Sequence, residues 1–173
     1  MILGLDISTS ITGYTILDDE GEIIVCNHID LRKEKNFFKK VCITNSQLLA
    51  IAKEHQIERV YIEQSLQSFR SGFSSAQTLS LLSKINGIVS WLCYNMFSGE
   101  PNYIGASSAR KAVGIKVPRG QKAKAVVMNF VLDNVGDFGV EYTRYGNPKA
   151  GYADRADSYV VARAGWLSET KEA

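Results

Sequence analysis

The first thirty residues constrain the fold more than any other stretch of this chain. An apolar run, ILGLDIS, is followed by ITGYTIL and, after an Asp-Glu-Gly turn, by EIIVCNHI. Short segments rich in β-branched residues and separated by tight turns are typical of strands joined as hairpins. The pattern predicts three antiparallel strands at the start of the chain, and it excludes a purely helical fold.

Helices and strands alternate after this opening. Apolar periodicity predicts a helix over 34–56, a strand at RVYIEQ, a long helix over 71–97, a strand at PNYIGAS, a helix that ends at Val113, a helix over 122–131 and a last helix from Tyr152. Ser107 or Ser108 is the candidate N-cap of the helix that ends at Val113. We find no repeat or linker, so we expect residues 1–173 to form a single α/β domain with a mixed sheet.

The charge of the chain is distributed unevenly. The net charge of the 173 residues is only +2, which says little about partners. Between Pro101 and Leu132, however, there is no Asp or Glu. The cations of that stretch are Arg110, Lys111, Lys116, Arg119, Lys122 and Lys124. This clustering predicts a basic face that suits an anionic partner.

Cysteine usage and hydropathy bear on the compartment. Cys26, Cys42 and Cys93 show neither metal-ligand spacing nor an even disulfide set, as in a protein that keeps its thiols reduced. The N-terminus lacks the pattern of a signal peptide, and the apolar stretch 79–97 contains Ser, Lys and Asn. We therefore expect a cytoplasmic protein, in the host cytoplasm if the source is viral, without a membrane segment.

Four acidic residues stand where the predicted elements would bring them together. Asp6 and Glu63 each end an apolar strand, and Asp154 and Asp157 share one face of the last helix because they are three residues apart. A turn residue, a solvated strand end or a first-turn acid of a helix explains each of them singly. Together they would repel one another unless a cation lay between them, and oxygen ligands suit Mg²⁺ or Mn²⁺. Two such ions, roughly 4 Å apart, hydrolyse phosphodiesters in many enzymes.

Five segments, in order along the chain, resemble those of RuvC-type Holliday junction resolvases of the RNase H-like superfamily. They are ILGLDISTSITGYTIL, YIEQSLQSF, FSSAQTLSLLSKINGIVSWL, PNYIGASSARKAVGIKVPRGQKAKAVV and ADRADSYVVARA. The resemblance implies an RNase H-like mixed five-stranded sheet with three antiparallel N-terminal strands, flanked by helices. Departures from the family pattern indicate a divergent member, of viral (phage) or mobile-element type.

The resemblance assigns roles to individual residues. It implies that Asp6, Glu63, Asp154 and Asp157 are catalytic and bind two Mg²⁺ or Mn²⁺ ions. Lys122 is the best match for a basic catalytic residue near the scissile phosphate, with Lys124 as its competitor. The residues expected to contact DNA are Phe69, Arg70, Arg110, Lys111, Lys116, Arg119, Lys122 and Lys124. Leu66 stands where bacterial resolvases often carry an aromatic residue, and Phe69 follows one helical turn later.

The expected activity is metal-dependent cleavage of four-way DNA junctions and other branched DNA. Because a four-way junction has near two-fold symmetry, paired cuts call for a homodimer, with the 71–97 helix as its interface. Four alternatives stay open: a broader flap or fork nuclease, an RNA–DNA hybrid nuclease, a catalytically silent junction-binding scaffold, and an actin-like or sugar-kinase-like nucleotide-binding protein. The last needs two such domains, for which 173 residues are too few. Segment 136–151 either contacts DNA or covers the sheet.

Overall fold

A five-stranded mixed sheet forms the centre of the fold. The computed structural model describes residues 1–64, 75–97, 99–136 and 138–172. The strands are β1 (Ile2–Asp6), β2 (Ile11–Leu17), β3 (Ile23–Asp30), β4 (Arg59–Glu63) and β5 (Asn102–Ile104), in the order β3-β2-β1-β4-β5. The first three are antiparallel, and the β1–β4 and β4–β5 pairs are parallel. The predicted mixed sheet with three antiparallel N-terminal strands is confirmed.

Helices pack on both faces of the sheet. They are α1 (Phe37–Glu54), α2 (Ala76–Met96), α3 (Ala106–Val113), α4 (Ala123–Asn134) and α5 (Tyr152–Glu172). One hydrophobic cluster joins α1 and α2 to one face of the sheet, and a second joins α3, α4 and α5 on the other. Among the described residues, no helix combines the length and the apolarity that crossing a bilayer requires.

The pleat of β1 explains how one strand serves both faces. Successive side chains of a strand point to opposite faces. Leu3 and Leu5 therefore lie in the cluster beneath α1 and α2, whereas Gly4 packs against Ala162 of α5. Asp6 has the same parity as Gly4, so its carboxylate faces α5. The strand thus places one charged group, at its last residue, under the C-terminal helix.

Two helix starts differ in detail from the sequence-based prediction. The predicted cap of α3 at Ser107 or Ser108 is wrong, because Gly105 is the N-cap and makes no side-chain capping bond. The helix begins at Ala106, directly after β5, so both serines fall within its first turn. The described part of α2 begins at Ala76, where Ser75 accepts a hydrogen bond from the backbone N–H of Thr78.

Candidate active site

Asp6 and Glu63 end two neighbouring parallel strands. Leu5 pairs with Ile62, so the next residues, Asp6 and Glu63, lie side by side at the same edge of the sheet. Neighbouring strands are about 4.8 Å apart. Glu63 shares the parity of Tyr61, which packs against Gly165 of α5, so both carboxylates face that helix. We call this end of the sheet the acidic edge.

The first turn of α5 lies directly over this edge because a glycine permits it. Gly13 of β2 pairs with Asp6 of β1, and a Cβ built on Gly13 would lie 1.9 Å from the backbone carbonyl oxygen of Asp154. No side chain fits in that space. The close approach brings the α5 backbone down onto the sheet beside Asp6. Asp154 and Asp157, one turn apart, are thereby added to the acidic edge.

Polar contacts on the β2–β3 side hold α5 in this position. Thr15 Oγ1 lies 2.9 Å from Ser158 Oγ, and both side chains are fully buried. Arg155 Nε donates to His28 Nδ1 at 2.8 Å, and another guanidinium nitrogen of Arg155 donates to Asn27 at 2.8 Å. Arg155 lies between the two aspartates of α5 in sequence. Its bonds to β3 therefore fix the rotation of the turn that carries them.

Burial raises the pKa values of Asp6, Glu63 and Asp157. Burial raises the pKa of Asp6 well above its ordinary value, and the charges of Glu63 and Asp157 raise it further. Burial, reinforced by Asp157, raises the pKa of Glu63 to about 7. Burial also raises the pKa of Asp157 to about 6, against the opposing effect of Lys124. These shifts reflect the cost of keeping charged carboxylates buried beside one another.

Lys124 of α4 supplies a positive charge to the acidic edge. Its ammonium nitrogen lies 2.8 Å from Asp154 Oδ1 and 3.7 Å from Asp157 Oδ2. The side chains of these aspartates are 17% and 14% exposed, so they are mostly buried yet still open to solvent on one side. Arg110 of α3 is close enough to lower the pKa of both Glu63 and Asp157. The site therefore combines four carboxylates with two cations.

The structure separates the two lysines that the sequence left in competition. Lys122 is the N-cap residue of α4, has extended backbone and is exposed. In the described part of the chain, the ion pairs to Asp154 and Asp157 are made by Lys124 and not by Lys122. Two residues differ in direction by more than half a turn across a helix start, so only one of them can point at the acids.

Three of the other residues expected to contact DNA lie in the α3–α4 segment. Lys111 lies in the last turn of α3, and Lys116 and Arg119 follow in the loop before α4, all three exposed. Phe69 and Arg70 lie outside the described residues, as does Leu66. The basic surface formed by the α3–α4 segment therefore adjoins the acidic edge.

A second basic segment, which the sequence analysis missed, follows β3. It consists of Arg32, Lys33, Lys35, Lys39 and Lys40. β3 ends at Asp30, opposite the start of β2, so this segment leaves the sheet at the acidic edge. Lys40 donates to the backbone carbonyl of Thr9, in the loop that follows Asp6. The run LRKEKNFFKK in the sequence was the available signal, although Asp30 precedes it, Glu34 interrupts it and the predicted helix over 34–56 overlaps it.

A divalent cation fits the acidic edge by the chemistry of the donor set. Four carboxylates with no competing sulfur or imidazole suit a hard ion such as Mg²⁺ or Mn²⁺. Burial, and after it the neighbouring acids, raise the pKa of Asp6 and of Glu63, and a bound cation would stabilise both carboxylates in their charged form. Within the described ranges, no three acidic, His or Cys side chains are grouped as ligands of a single ion. Lys124 instead pairs with the two aspartates of α5.

Comparison with solved structures identifies the fold. Thermus thermophilus RuvC in complex with Holliday junction substrate is similar at a TM-score of 0.69 and 13% identity, over 98% of this chain and 95% of that one. A second Thermus thermophilus RuvC structure gives 0.63 and 14%, over 98% and 96%. The yeast mitochondrial Holliday junction resolvase Ydc2 gives 0.57 and 13%, over 99% and 80%.

These likenesses define the class: the chain has the RNase H-like fold of RuvC, as the resemblance implied. No protein-family model matches the chain, and a sequence search among curated proteins finds no match. The likeness at this identity concerns the fold. What the site does is therefore argued from this chain's own residues.

Proposed function

We propose that this protein is a metal-dependent endonuclease that cleaves four-way DNA junctions, and other branched DNA, by paired phosphodiester hydrolysis. The observation that carries the proposal is the convergence of Asp6, Glu63, Asp154 and Asp157 at one edge of an RNase H-like sheet. Two of the similar structures are a RuvC in complex with Holliday junction substrate and a mitochondrial Holliday junction resolvase. Residues 1–173 would act as a single nuclease domain.

The four carboxylates would hold one or two Mg²⁺ or Mn²⁺ ions. Such ions, when bound, lower the pKa of a water that attacks phosphorus and stabilise the leaving oxygen. Asp6 is the most central ligand, because it ends the middle strand of the sheet and is affected by the charges of the other three acids. Glu63 and the two aspartates of α5 would complete the ligand set.

Lys124 is the better candidate for the basic catalytic residue. Its ammonium group forms ion pairs with Asp154 and Asp157, and a scissile phosphate bound to the acidic edge would lie beside it. A positioned cation stabilises the charge that develops on the phosphoryl oxygens in the transition state. Lys122, at the exposed helix start, is placed to bind the DNA backbone instead.

The charges of the whole chain would orient DNA on this edge. Cations of the α3–α4 segment and of the segment after β3 flank the acidic edge on two sides. The opposite end of the sheet is acidic: Asp18, Asp19 and Glu58 lie there, and Asp19 and Glu58 pair with the N-terminal ammonium. A polyanion is attracted to the first surface and repelled by the second.

Paired cuts would require a homodimer. The described part of the 71–97 helix exposes Trp91 and Tyr94 of α2, beside Tyr103 of β5. Exposed aromatic residues grouped in this way are enriched at protein interfaces. We propose that two copies associate through this helix, and light scattering of the purified protein would measure the mass.

A cleavage assay tests the proposed function. The purified protein is incubated with an end-labelled four-way junction in Mg²⁺ or in EDTA, beside linear duplex, flap and RNA–DNA hybrid. Symmetric paired nicks on the junction alone, lost in EDTA, are the expected result. If flaps or hybrids are cleaved as well as the junction, the protein is a nuclease of broader substrate range and not a junction resolvase. Tight junction binding without cleavage in any divalent ion would favour a scaffold.

A further inference from the structure

A small hairpin precedes α5, within the segment 136–151 that either contacts DNA or covers the sheet according to its sequence. It covers residues 141–149 and is closed by backbone hydrogen bonds from Lys149 N to Glu141 O (2.8 Å) and from Thr143 N to Asn147 O (2.7 Å). The side chains of Glu141 and Lys149 also form an ion pair across its base, at 2.5 Å. The 141–149 hairpin therefore holds its shape by its own bonds.

The hairpin does not cover the sheet. Every residue from 141 to 150 is exposed, so the segment contributes nothing to the hydrophobic core. Its two ends are nevertheless anchored. The buried rings of Phe138 and Tyr152 pack edge to face with their centroids 6.4 Å apart, and Gly151 is buried against His28. The structure thus fixes the base of the hairpin and projects its tip into solvent.

The tip carries exposed aromatic rings and a cation, groups of the kind that stack on nucleic-acid bases. The side chains of Tyr142 and Tyr145 are 52% and 73% exposed. The guanidinium carbon of Arg144 lies 4.6 Å from the centroid of the Tyr145 ring, so the two planar groups form a cation–π pair. Aromatic rings stack on bases without regard to sequence, and a tyrosine has few rotatable bonds to immobilise.

The base of the hairpin lies close to the proposed active site. Asp6, Gly13 and His28 pair with one another across β1, β2 and β3. With neighbouring strands about 4.8 Å apart, His28 is about 10 Å from Asp6. Gly151 packs on His28, so the hairpin leaves the surface beside the acidic edge.

We propose that the 141–149 hairpin recognises the branch point of DNA. The rings of Tyr142 and Tyr145 stack on bases that are unpaired, or that end a helical stack, at the centre of the branch, and Arg144 contacts an adjacent phosphate. The interior of a linear duplex offers no free base face, so these contacts select branched over linear DNA. This inference rests on the proposed function and names the feature of the substrate that the protein reads.

Substitution of both rings tests the proposal. A Tyr142→Ala/Tyr145→Ala double variant is compared with wild type for binding to a labelled four-way junction and to a linear duplex, in EDTA at one salt concentration. The expected result is a loss of roughly tenfold or more in junction affinity, since a stacked base contributes about that much, with the duplex affinity reduced by about twofold or less. A Tyr142→Phe/Tyr145→Phe variant keeps the rings and should keep the junction affinity.

Two controls separate stacking from a general loss of surface. Ile24→Ala removes an apolar side chain that is 45% exposed, on β3 at the end of the sheet away from the acidic edge, and should leave both affinities as in wild type. A 2-aminopurine at the junction centre should change its fluorescence when wild type binds, and should do so much less with the double alanine variant. The same probe within an arm should not respond.

Three results would overturn the proposal: unchanged selectivity in the double alanine variant, equal losses on junction and duplex, or a phenylalanine variant as weak as the alanine variant. Cleavage by the same preparations distinguishes the two levels of the argument. If the wild type cleaves junctions and the alanine variant keeps full selectivity, only the proposed role of the hairpin is refuted. If the wild type neither binds nor cleaves a junction, both the proposed function and the proposed role of the hairpin are refuted.

Discussion

Replacing Gly13 by alanine should disable the site while leaving the fold in place. The added Cβ would lie 1.9 Å from the carbonyl oxygen of Asp154 and 2.5 Å from its carbonyl carbon. Ordinary contact begins at 3.4 Å, so the first turn of α5 must rise from the sheet by about 1.5 Å. Asp154 and Asp157 would move with that turn, away from Asp6. A displacement of about 1 Å can reduce a rate by roughly 100-fold.

We therefore expect Gly13→Ala to lower kcat for junction cleavage by about 100-fold or more. Overpacking of this kind destabilises a protein by about 1–3 kcal/mol, which corresponds to a fall in Tm of between about 2 and 12 °C for a chain of this size. Single-turnover cleavage at saturating enzyme measures the rate, and thermal unfolding followed by circular dichroism measures the stability. Junction binding should persist, because the basic surfaces are untouched.

Gly136→Ala is the matched control. Among the described atoms, none lies within 4 Å of a Cβ built on Gly136, and its φ is not in the left-handed region. This variant should cleave at the wild-type rate. A Gly13→Ala protein that is folded and also cleaves at the wild-type rate would refute the reasoning that close packing of α5 on β2 positions the acids.

Two further predictions concern charge at the acidic edge. In metal-free buffer, Tm should fall as the pH rises from about 4.5 to about 7. The reason is that Glu63 keeps its proton up to a pKa of about 7 in the folded chain but releases it near 4.5 in the unfolded chain. A Glu63→Gln variant should show a weaker fall in Tm, and an equal fall would count against this assignment. Lys124→Ala should lower junction cleavage by about 100-fold, whereas Lys122→Ala should mainly weaken DNA binding; the reverse ranking in single-turnover assays would assign the catalytic role to Lys122.

The elements that the sequence predicted correctly are those with a clear apolar period. β1 to β3 have short alternating runs between tight turns, and α5 repeats Ala156, Val160, Val161 and Ala164, all of them buried, along one face. The ends were less certain, since a helix start depends on a local balance of caps. At α3 the sequence offered Ser107 and Ser108 as the N-cap. Because the helix begins at Ala106, directly after β5, Gly105 takes the N-cap position instead.

The acids of the site could be found because each one interrupts an apolar pattern. Asp6 and Glu63 end buried strands, and parallel pairing of β1 with β4 then places them side by side. The basic partner could not be chosen in the same way. Lys122 and Lys124 are two residues apart, and only the start of α4 between them determines which side chain faces the acids.

Contacts between residues far apart in the sequence cannot be predicted from local residue patterns. The approach of Gly13 to Asp154 joins residues 141 positions apart, and the bond from Arg155 to His28 joins residues 127 apart. The 141–149 hairpin shows the same limit. Its glycines and proline indicate turns, but its exposure follows from the packing of Phe138 and Tyr152 on either side.

Asp6→Asn tests the central claim, that the acidic edge is the catalytic site, most directly. The variant keeps the shape of the side chain but removes the carboxylate. Burial and the neighbouring acids raise the pKa of that carboxylate, so the variant should fold and, without metal, be at least as stable as wild type. Junction binding and cleavage are measured side by side in Mg²⁺. The account predicts that binding is retained and that cleavage is abolished. Cleavage at the wild-type rate would contradict it.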